Sequence, residues 1–365
     1  MLKMLTRLLW VGFAFLLVAC GSATPQPIKA QNPLYLLLVK DQEMSLAVIN
    51  RPSYSLAGML PIVNVGNTPP SGDVGILPDG SVVVTHTGAS QNGKETVKTD
   101  TLVCQPAQGQ CSSLIDGWGS ATVNTFGQSL AVPIWQADTD YLHGQLAIVS
   151  GSPAKIDQRI PLVSLLPGAV HIAPDGKSLY WLTPSGNQPD AATYRLVRSD
   201  LAAQTITASY DFGASVPGGL TVAADGTVYT TILYAKQGNR TPGTPPANDP
   251  GTQVLVFSPD LHTQHPFTVG AEPLQITLGA GTIAVAYAPN QRHHIDVFSQ
   301  TDFSLLHSLT SPYPTSIDNL STLSSGEFAV TVNVGAQTNL GIWDPTSDQI
   351  TWHSYTGISS GGMAG

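Results

Sequence analysis

Five polar residues stand at similar distances before a recurring glycine turn, and they are the first candidates for chemistry. His171 is the only one of the five that titrates near neutral pH, so it could act as an acid–base group or bind a ligand. Asp73 could position a substrate, and Thr122, Thr221 and Gln275 could hydrogen-bond a hydroxyl-rich ligand. The alternative for His171 is a structural role as a hydrogen-bonded residue that fills space.

Four further residues are weaker candidates for a site. Trp118 could stack on a ligand, or it could pack between structural units. Asp138, Asp140 and His143 place two carboxylates and one imidazole in a short segment that could hold a cation. This segment lacks the number of ligands that Ca²⁺ or Zn²⁺ requires, and a solvated loop is the alternative. We therefore predict no metal and no cofactor.

One motif of catalytic type is present near the C-terminus. Residues 357–361 match the pattern G-x-S-x-G, but they lie in a Gly/Ser-rich stretch that lacks the strand-to-helix turn needed to expose the serine. No residue is assigned a catalytic role on this basis.

The elements that must position the polar residues form a repeat. Six times an apolar segment enters a tight turn and leaves as a second β-rich segment, with 45 to 55 residues between successive turn glycines. These glycines are Gly80, Gly127, Gly176, Gly226, Gly281 and Gly326. Glycine suits tight hairpins because it adopts positive φ without steric cost, and a unit of this length holds about four short strands. The repeat predicts an all-β chain that forms a single β-propeller.

The number of blades depends on the first strands. Strand-like segments at 34–39, 44–50 and 54–60 precede the first hairpin and predict a seventh four-stranded blade. Either the C-terminal tail or residues near 27–33 would close it, and six blades with an N-terminal cap is the alternative. We place the propeller at residues 34–356 and a Gly/Ser-rich tail at 357–365. Strand alternation would then direct the five polar residues into the central channel.

The N-terminal segment has the features of an export signal. Lys3 and Arg7 precede an apolar run over residues 8–19 that is too short to cross a bilayer as a helix. The run ends in Leu-Val-Ala-Cys-Gly, which resembles the lipobox of bacterial lipoproteins. The resemblance implies a signal peptide over 1–19, a lipidated Cys20, and a membrane-anchored position outside the cytoplasm. An ordinary cleaved signal with an incidental cysteine is the alternative. Residues 20–33 are rich in Ser, Pro and Gln and predict a flexible tether.

Charge and cysteine content narrow the possible partners. The chain has a formal net charge of −9 and only 15 Lys and Arg residues, so we predict no nucleic-acid partner. Cys104 and Cys111 flank a short turn, and in an oxidising compartment they would form a local disulfide. Two free buried thiols are the alternative.

The longer connections of the predicted propeller fall on one face. On the opposite face the hairpin turns are short and uniform, whereas the variable polar loops lie at 86–100, 136–144, 184–193, 235–252 and 288–294. Loops on a rigid frame are common sites of recognition, so this face is the predicted binding surface.

The repeat, best seen at Pro174-Asp175-Gly176 and Ala224-Asp225-Gly226, resembles bacterial YVTN-type, NHL-like and quinoprotein-like propellers. Members of this class include surface proteins, lactonases, quinone-dependent dehydrogenases and scaffolds, so the resemblance implies a fold without an activity. We predict a non-catalytic binding module whose partner is an envelope protein, a glycan or a small polar ligand. The alternative is a lactonase-like hydrolase or sugar oxidoreductase that acts at the channel mouth.

Overall fold

The structure is a computed structural model. It describes residues 26–65, 71–87, 89–91, 94–97, 99–116, 122–134, 144–161, 170–184, 193–236, 248–262, 264–288, 293–345, 347 and 349–365. Over these residues the secondary structure is β throughout, apart from one 3₁₀ turn at Pro106–Gln108. The all-β prediction is confirmed.

The first nine strands come from the N-terminal third of the chain. They are β1 (Leu34–Lys40), β2 (Glu43–Ile49), β3 (Leu56–Asn64), β4 (Gly72–Ile76), β5 (Val82–His86), β6 (Ala89–Gln91), β7 (Lys94–Val97), β8 (Asp100–Gln105) and β9 (Gln110–Asp116). Strands β6 and β7 pair only with each other.

The middle of the chain forms five separate sheets of four antiparallel strands, each in sequence order. The first sheet contains β10 (Asn124–Phe126), β11 (Ser129–Ile134), β12 (Gln145–Ser150) and β13 (Lys155–Pro161). The second contains β14 (Val170–Ile172), β15 (Ser178–Pro184), β16 (Tyr194–Asp200) and β17 (Thr205–Asp211). The third contains β18 (Val216–Val222), β19 (Val228–Lys236), β20 (Asp249–Phe257) and β21 (Gln264–Thr268). The fourth sheet contains β22 (Pro273–Leu278), β23 (Thr282–Tyr287), β24 (His294–Ser299) and β25 (Leu305–Thr310). The fifth contains β26 (Asn319–Thr322), β27 (Phe328–Val334), β28 (Gln337–Trp343) and β29 (Ile350–Thr356).

The last strand, β30 (Ile358–Ala364), joins the two ends of the chain in one sheet. It pairs antiparallel with β1, and it meets β4 at a single parallel register position, Gly361 opposite Gly72. The result is an eight-stranded sheet of order β3-β2-β1-β30-β4-β5-β8-β9. The first strand of each four-stranded sheet contacts the first strand of the next, and β30 contacts both β26 and β4, so the circuit closes.

The C-terminal residues require a correction to the predicted domain limits. Residues 357–365 were placed outside the propeller as a tail, yet they contain β30, which pairs with β1. Closure by the C-terminal segment was one of the two predicted alternatives. Asn333 and Thr338 hold it on its other side, because the backbone N–H of Ser359 donates to Asn333 Oδ1 at 2.9 Å and to Thr338 Oγ1 at 2.6 Å. Ser359 is therefore a strand residue and does not occupy a nucleophile turn. The small residues of the segment permit close approach to neighbouring strands, which composition alone did not indicate.

The hairpin turns explain the Asp-Gly repeat. At Gly80, φ is +82°, a conformation that glycine adopts readily, and its N–H donates to the Leu77 carbonyl at 2.9 Å. The preceding Asp79 accepts a 2.9 Å hydrogen bond from the Ser81 N–H. Turns at equivalent positions contain Gly176, Gly226 and Gly326. We call the end of the ring that carries these four glycines the turn face, and the opposite end, where β5 ends at His86 and β27 ends at Val334, the loop face.

The hydrophobic core lies between successive sheets. One cluster combines Tyr180 and Leu196 from the β14–β17 sheet with Leu220, Ile232 and Phe257 from the β18–β21 sheet. All five are at least nine-tenths buried. Burial of each large apolar side chain contributes about 1.5–3 kcal/mol, so every sheet depends on its neighbours for stability.

The segment before β1 also differs from its prediction. Residues 20–33 were expected to be a flexible tether, but in the described part of that segment the Ile28 N–H donates to the Pro106 carbonyl at 2.8 Å. Ile28 packs against the Cys104 region of the core, and Arg51 donates to the Asn32 carbonyl at 3.0 Å. The turn between β8 and β9, closed by a disulfide between Cys104 and Cys111, receives this segment. The predicted disulfide is thus present, and residues 26–33 are docked on the propeller.

Candidate functional site

The innermost strands surround a cavity of about 1070 Å³. Five of the six candidate ligand-binding residues line it: Asp73, Thr122, His171, Thr221 and Gln275. The sixth, Trp118, lies outside the described residues. So do Cys20 and the weak metal candidates Asp138, Asp140 and His143. The structure therefore brings together the predicted channel set, while its role in binding stays a prediction.

Strand register places several of these side chains at one height in the channel. His171 lies opposite Tyr180 and Thr221 lies opposite Tyr229, each one register pair before the end of its hairpin ladder. The residue at the same position in β22 is Thr277, which lies opposite Ala284. Asp73 and Gln275 lie two residues earlier in the hairpin, one layer nearer the loop face. Alternation along each strand produces this layering, since every second side chain faces the channel.

Asp73 links two neighbouring sheets. Its Oδ1 accepts the Val74 N–H at 2.8 Å, and its Oδ2 accepts the Val123 N–H from the next sheet at 2.6 Å. The side chain is partly buried, and part of the carboxyl surface borders the cavity. Burial therefore raises its pKa to about 7, and the two backbone hydrogen bonds oppose that shift only in part. At neutral pH the carboxyl is close to half protonated.

His171 also bridges sheets through a backbone group. Burial lowers the pKa of its imidazole to about 4, and a hydrogen bond with the Leu220 backbone in β18 raises it by a smaller amount. The ring is therefore neutral at physiological pH. A neutral imidazole held by a backbone group fits the structural alternative better than an acid–base role.

The remaining polar groups of the channel repeat this arrangement. Gln275 Nε2 donates to the Asp318 carbonyl at 3.0 Å, and the hydroxyls of Thr277 and Thr322 are 2.8 Å apart. Both contacts join β22 to the β26 sheet. Partial burial raises the pKa of Asp318, whose Oδ2 accepts the Asn333 N–H at 2.7 Å. Most channel groups thus serve as bridges between sheets and present a largely neutral, hydrogen-bonding wall.

A second polar cluster, which the sequence did not predict as a network, lies within the β22–β25 sheet. Asp296 accepts hydrogen bonds from the Tyr287 hydroxyl at 2.5 Å and from the Ser308 hydroxyl at 2.6 Å, and His294 Nε2 lies 3.5 Å from it. Burial raises the Asp296 pKa, but these hydrogen bonds outweigh burial and hold it below the usual value. The i, i+2 spacing of His294 and Asp296 on one strand face was the available signal.

Two kinds of element are absent from the described part of the chain. There, no group of three or more His, Cys, Asp or Glu side chains has the arrangement of a metal site. Over the same residues, no helix combines the length and apolar character that crossing a bilayer demands.

The predicted binding loops fall largely outside the described residues. Most of 136–144, 184–193, 235–252 and 288–294 is affected, and so is part of 86–100. Their described ends, such as His86, Asp100 and Lys236, all stand at the loop face, where the strands that flank each loop terminate.

The fold is similar to two solved structures. The β-propeller domain of the Trilobed protease from Pyrococcus furiosus, reported to have an open velcro topology, is 9% identical, with a TM-score of 0.52 over 78% of this chain and 84% of that one. Dihydro-heme d1 dehydrogenase NirN, solved in complex with DHE, is 11% identical, with a TM-score of 0.55 over 93% of this chain and 77% of that one. No family model and no curated protein matches the chain. At these identities the likeness shows the fold alone, and the chain is a β-propeller.

Proposed function

We propose that this protein is a lipid-anchored, extracytoplasmic propeller of seven four-stranded blades that acts as a non-catalytic binding module. The count of seven treats the eight-stranded sheet as two blades, β30-β1-β2-β3 and β4-β5-β8-β9, because only one bridge position joins β30 to β4. The other five blades are the separate four-stranded sheets.

One observation carries the binding function: the polar groups of the channel are engaged between blades. Asp73 bonds to Val123, His171 to Leu220, and Gln275 to Asp318, each across a blade boundary. These bonds stabilise a fixed frame. A rigid frame with variable loops at one end favours recognition by those loops, since surface loops tolerate variation that strands do not.

The loop face is therefore the proposed binding surface, and its partner is an envelope protein, a glycan or a small polar ligand. The acidic chain, at −9 overall, disfavours nucleic acid in this role. The anchor is the lipidated Cys20, which would place the module on the outer side of a bacterial membrane.

Capture of the full-length protein from detergent-solubilised membranes tests the binding role. An antibody is preferable to a C-terminal tag, because the Gly365 carbonyl accepts the Ser324 N–H and β30 completes a sheet. The test variant replaces residues 237–247 by Gly and Ser in equal number, and Lys177→Ser on the turn face is the matched control. We expect a partner to be retained by the control and lost from the loop variant.

Retention by both variants, or a cofactor that co-purifies with the chain, would contradict the loop-face module. The anchor is tested separately, because Cys20→Ser should release the protein from membranes. If the variant remains in the membrane fraction, lipid attachment at Cys20 is wrong.

One observation favours the enzyme alternative. A carboxyl with a pKa of about 7 that faces a polar cavity is suited to proton transfer near neutral pH, so Asp73 rather than His171 becomes the acid–base candidate. Hydrolysis of lactones by the wild type, absent from Asp73→Asn, would support this alternative. No turnover by the wild type would leave Asp73 with its structural role.

A further inference from the structure

We infer that the turn face lies toward the membrane and that the loop face points away from it, to a partner held beyond the bilayer surface. This inference rests on the proposed anchor at Cys20. It adds an orientation, which follows from where the described chain begins to contact the propeller.

The chain is already docked on the propeller at its first described residues. A β-carbon on Gly109 would lie 2.5 Å from the Gln26 carbonyl oxygen, so the two backbones are in close contact. Ile28 follows, with its side chain about 3 Å from the position of a β-carbon on Gly58 in β3. Gln26 is therefore fixed at the outer rim, between β3 and the β8–β9 turn.

The β8–β9 turn belongs to the turn face. Ile76 pairs with Val82, Val82 with Cys104, and Cys104 with Cys111, so these four residues form one row across the sheet. The row lies beside the Gly80 turn. Since alternate connections of an antiparallel sheet emerge at the same end, the Pro106–Gln108 turn and Gly80 share a face.

The end of the docked segment supports this placement. The Arg51 N–H donates to the Gln31 carbonyl at 3.2 Å, and the Arg51 guanidinium donates to Ser325 Oγ at 3.4 Å, in the turn that contains Gly326. Residues 26–33 thus cross the turn face from the rim toward the channel mouth before β1 begins.

The available length of chain decides between the two orientations. Cys20 and Gln26 are separated by six peptide links, which span at most about 20 Å when fully extended. A seven-residue strand such as β27 is about 23 Å long, which exceeds that reach. With the loop face against the bilayer, Gln26 would stand farther from the surface than the chain can reach. With the turn face inward, no extension is required.

Charge indicates that the anchor, and not adhesion to lipid, sets this orientation. The turns of the turn face expose five carboxylates, with Lys155 and Lys177 among the few exposed bases there. The carboxylates are Asp79, Asp175, Asp225, Asp260 and Asp302. Anionic headgroups would repel such a surface, so the protein without its lipid is not expected to bind anionic vesicles.

Energy transfer in vesicles tests the orientation. Ser324→Cys places a label on the turn face and Ala336→Cys places one on the loop face of the same β26–β29 sheet, so the two labels differ mainly in height. Both sites are exposed, and Cys104 and Cys111 are already bonded to each other. The lipidated full chain is reconstituted in zwitterionic vesicles that carry an acceptor on the headgroup. We expect roughly twofold more transfer from position 324, because about one strand length separates the faces.

A longer tether is the control. An insert of about 20 Gly and Ser residues between Pro25 and Gln26 should keep the protein on the vesicles and bring the transfer ratio close to one. Equal or reversed transfer with the natural tether would overturn the orientation. A ratio unchanged by the insert would overturn the reach argument, because another contact would then hold the turn face.

Two measurements test the lipid anchor at Cys20 separately from the orientation of the propeller. The mass of the N-terminal peptide shows whether Cys20 carries lipid, and flotation shows whether the chain is on the vesicles. An unmodified Cys20 overturns the proposed localisation together with this inference. A lipidated, floating chain with reversed transfer overturns the orientation alone.

Discussion

Oδ1 of Asp73 occupies the space that a β-carbon on Gly362 would need. Asp73 belongs to β4 and Gly362 to β30, so this contact lies where the last strand meets β4 within the eight-stranded sheet. Beside it, a β-carbon on Gly361 would overlap the Gly72 carbonyl oxygen. Closure of the ring therefore requires glycine at both positions of β30.

Gly362→Ala should weaken this closure. The added methyl group would overlap Asp73, and we expect a loss of about 1–3 kcal/mol in the free energy of unfolding, measured by urea denaturation. Faster amide exchange in β1 and β30 should accompany the loss. Ser360→Ala in the same strand is the control, because its hydroxyl has no partner and its removal adds no atom. Equal urea midpoints for Gly362→Ala and Ser360→Ala would refute the close contact between Gly362 and Asp73.

The raised pKa of Asp73 predicts that its contribution to stability falls as pH rises. Well below pH 3.8 the carboxyl is protonated in both the folded and unfolded states. Between the ordinary value of 3.8 and about 7, only the unfolded state ionises freely, so increasing pH favours unfolding. The wild type should lose stability relative to Asp73→Asn between pH 4 and pH 7. The difference between their free energies of unfolding should change by on the order of a few kcal/mol in favour of the variant. If the difference between the two unfolding free energies does not change with pH, the pKa of Asp73 is not raised.

The lowered pKa of His171 has the opposite effect over a similar range. Above pH 6.5 the imidazole is neutral in both states. As pH falls from 6.5 toward about 4, the unfolded chain takes up a proton that the folded protein does not, so stability is lost. The unfolding free energy of the wild type minus that of His171→Gln should therefore fall as pH decreases across this window. If the unfolding free energies of the wild type and His171→Gln change in parallel with pH, the pKa of His171 is not lowered in the folded state.

The disulfide should stabilise the protein through its short loop. Replacing Cys104 and Cys111 together by Ser should lower the free energy of unfolding by about 2–3 kcal/mol, because the unfolded chain gains conformational freedom. Thermal unfolding with and without reductant measures this. Reductant should destabilise the wild type and leave the double variant unchanged; an equal response from both proteins would count against the bond.

Ile28→Ser should release the segment that crosses the turn face. Lys29 is exposed beside Ile28, so trypsin cleavage after Lys29 reports on docking. We expect cleavage to accelerate severalfold, because the apolar contact with β3 is lost and local opening becomes easier. Gln26→Ser is the control and should be cleaved at the wild-type rate, because Gln26 is exposed and meets Gly109 through its backbone. If the two variants are cleaved equally, Ile28 does not hold the segment.

Local sequence patterns predicted the blades well. The Asp-Gly hairpins at Gly80, Gly176 and Gly226 need positive φ at one defined position, and that requirement is visible in the residue types. The same counting placed His171 and Thr221 on the channel wall, because strand alternation is a local property.

Contacts between distant parts of the chain could not be predicted in this way. Strand β30 has the composition of a linker, and only its fit against β1 and Gly72 makes it a strand. Residues 26–33 likewise contain Pro, Gln and Asn without periodicity, yet they dock on Pro106 and Arg51. The partners of Asp73 and His171 are backbone groups of the next blade, which side-chain identity does not reveal.

Pairing of β1 with β30 makes the order of synthesis matter for folding. The edge of β1 emerges from the ribosome early and has no partner until the final strand has been made. A nascent chain therefore exposes this strand edge for most of its translation. Loop-closure entropy opposes the last step, in which β30 pairs with β1, so the open edge of β1 is an aggregation hazard until β30 has been made.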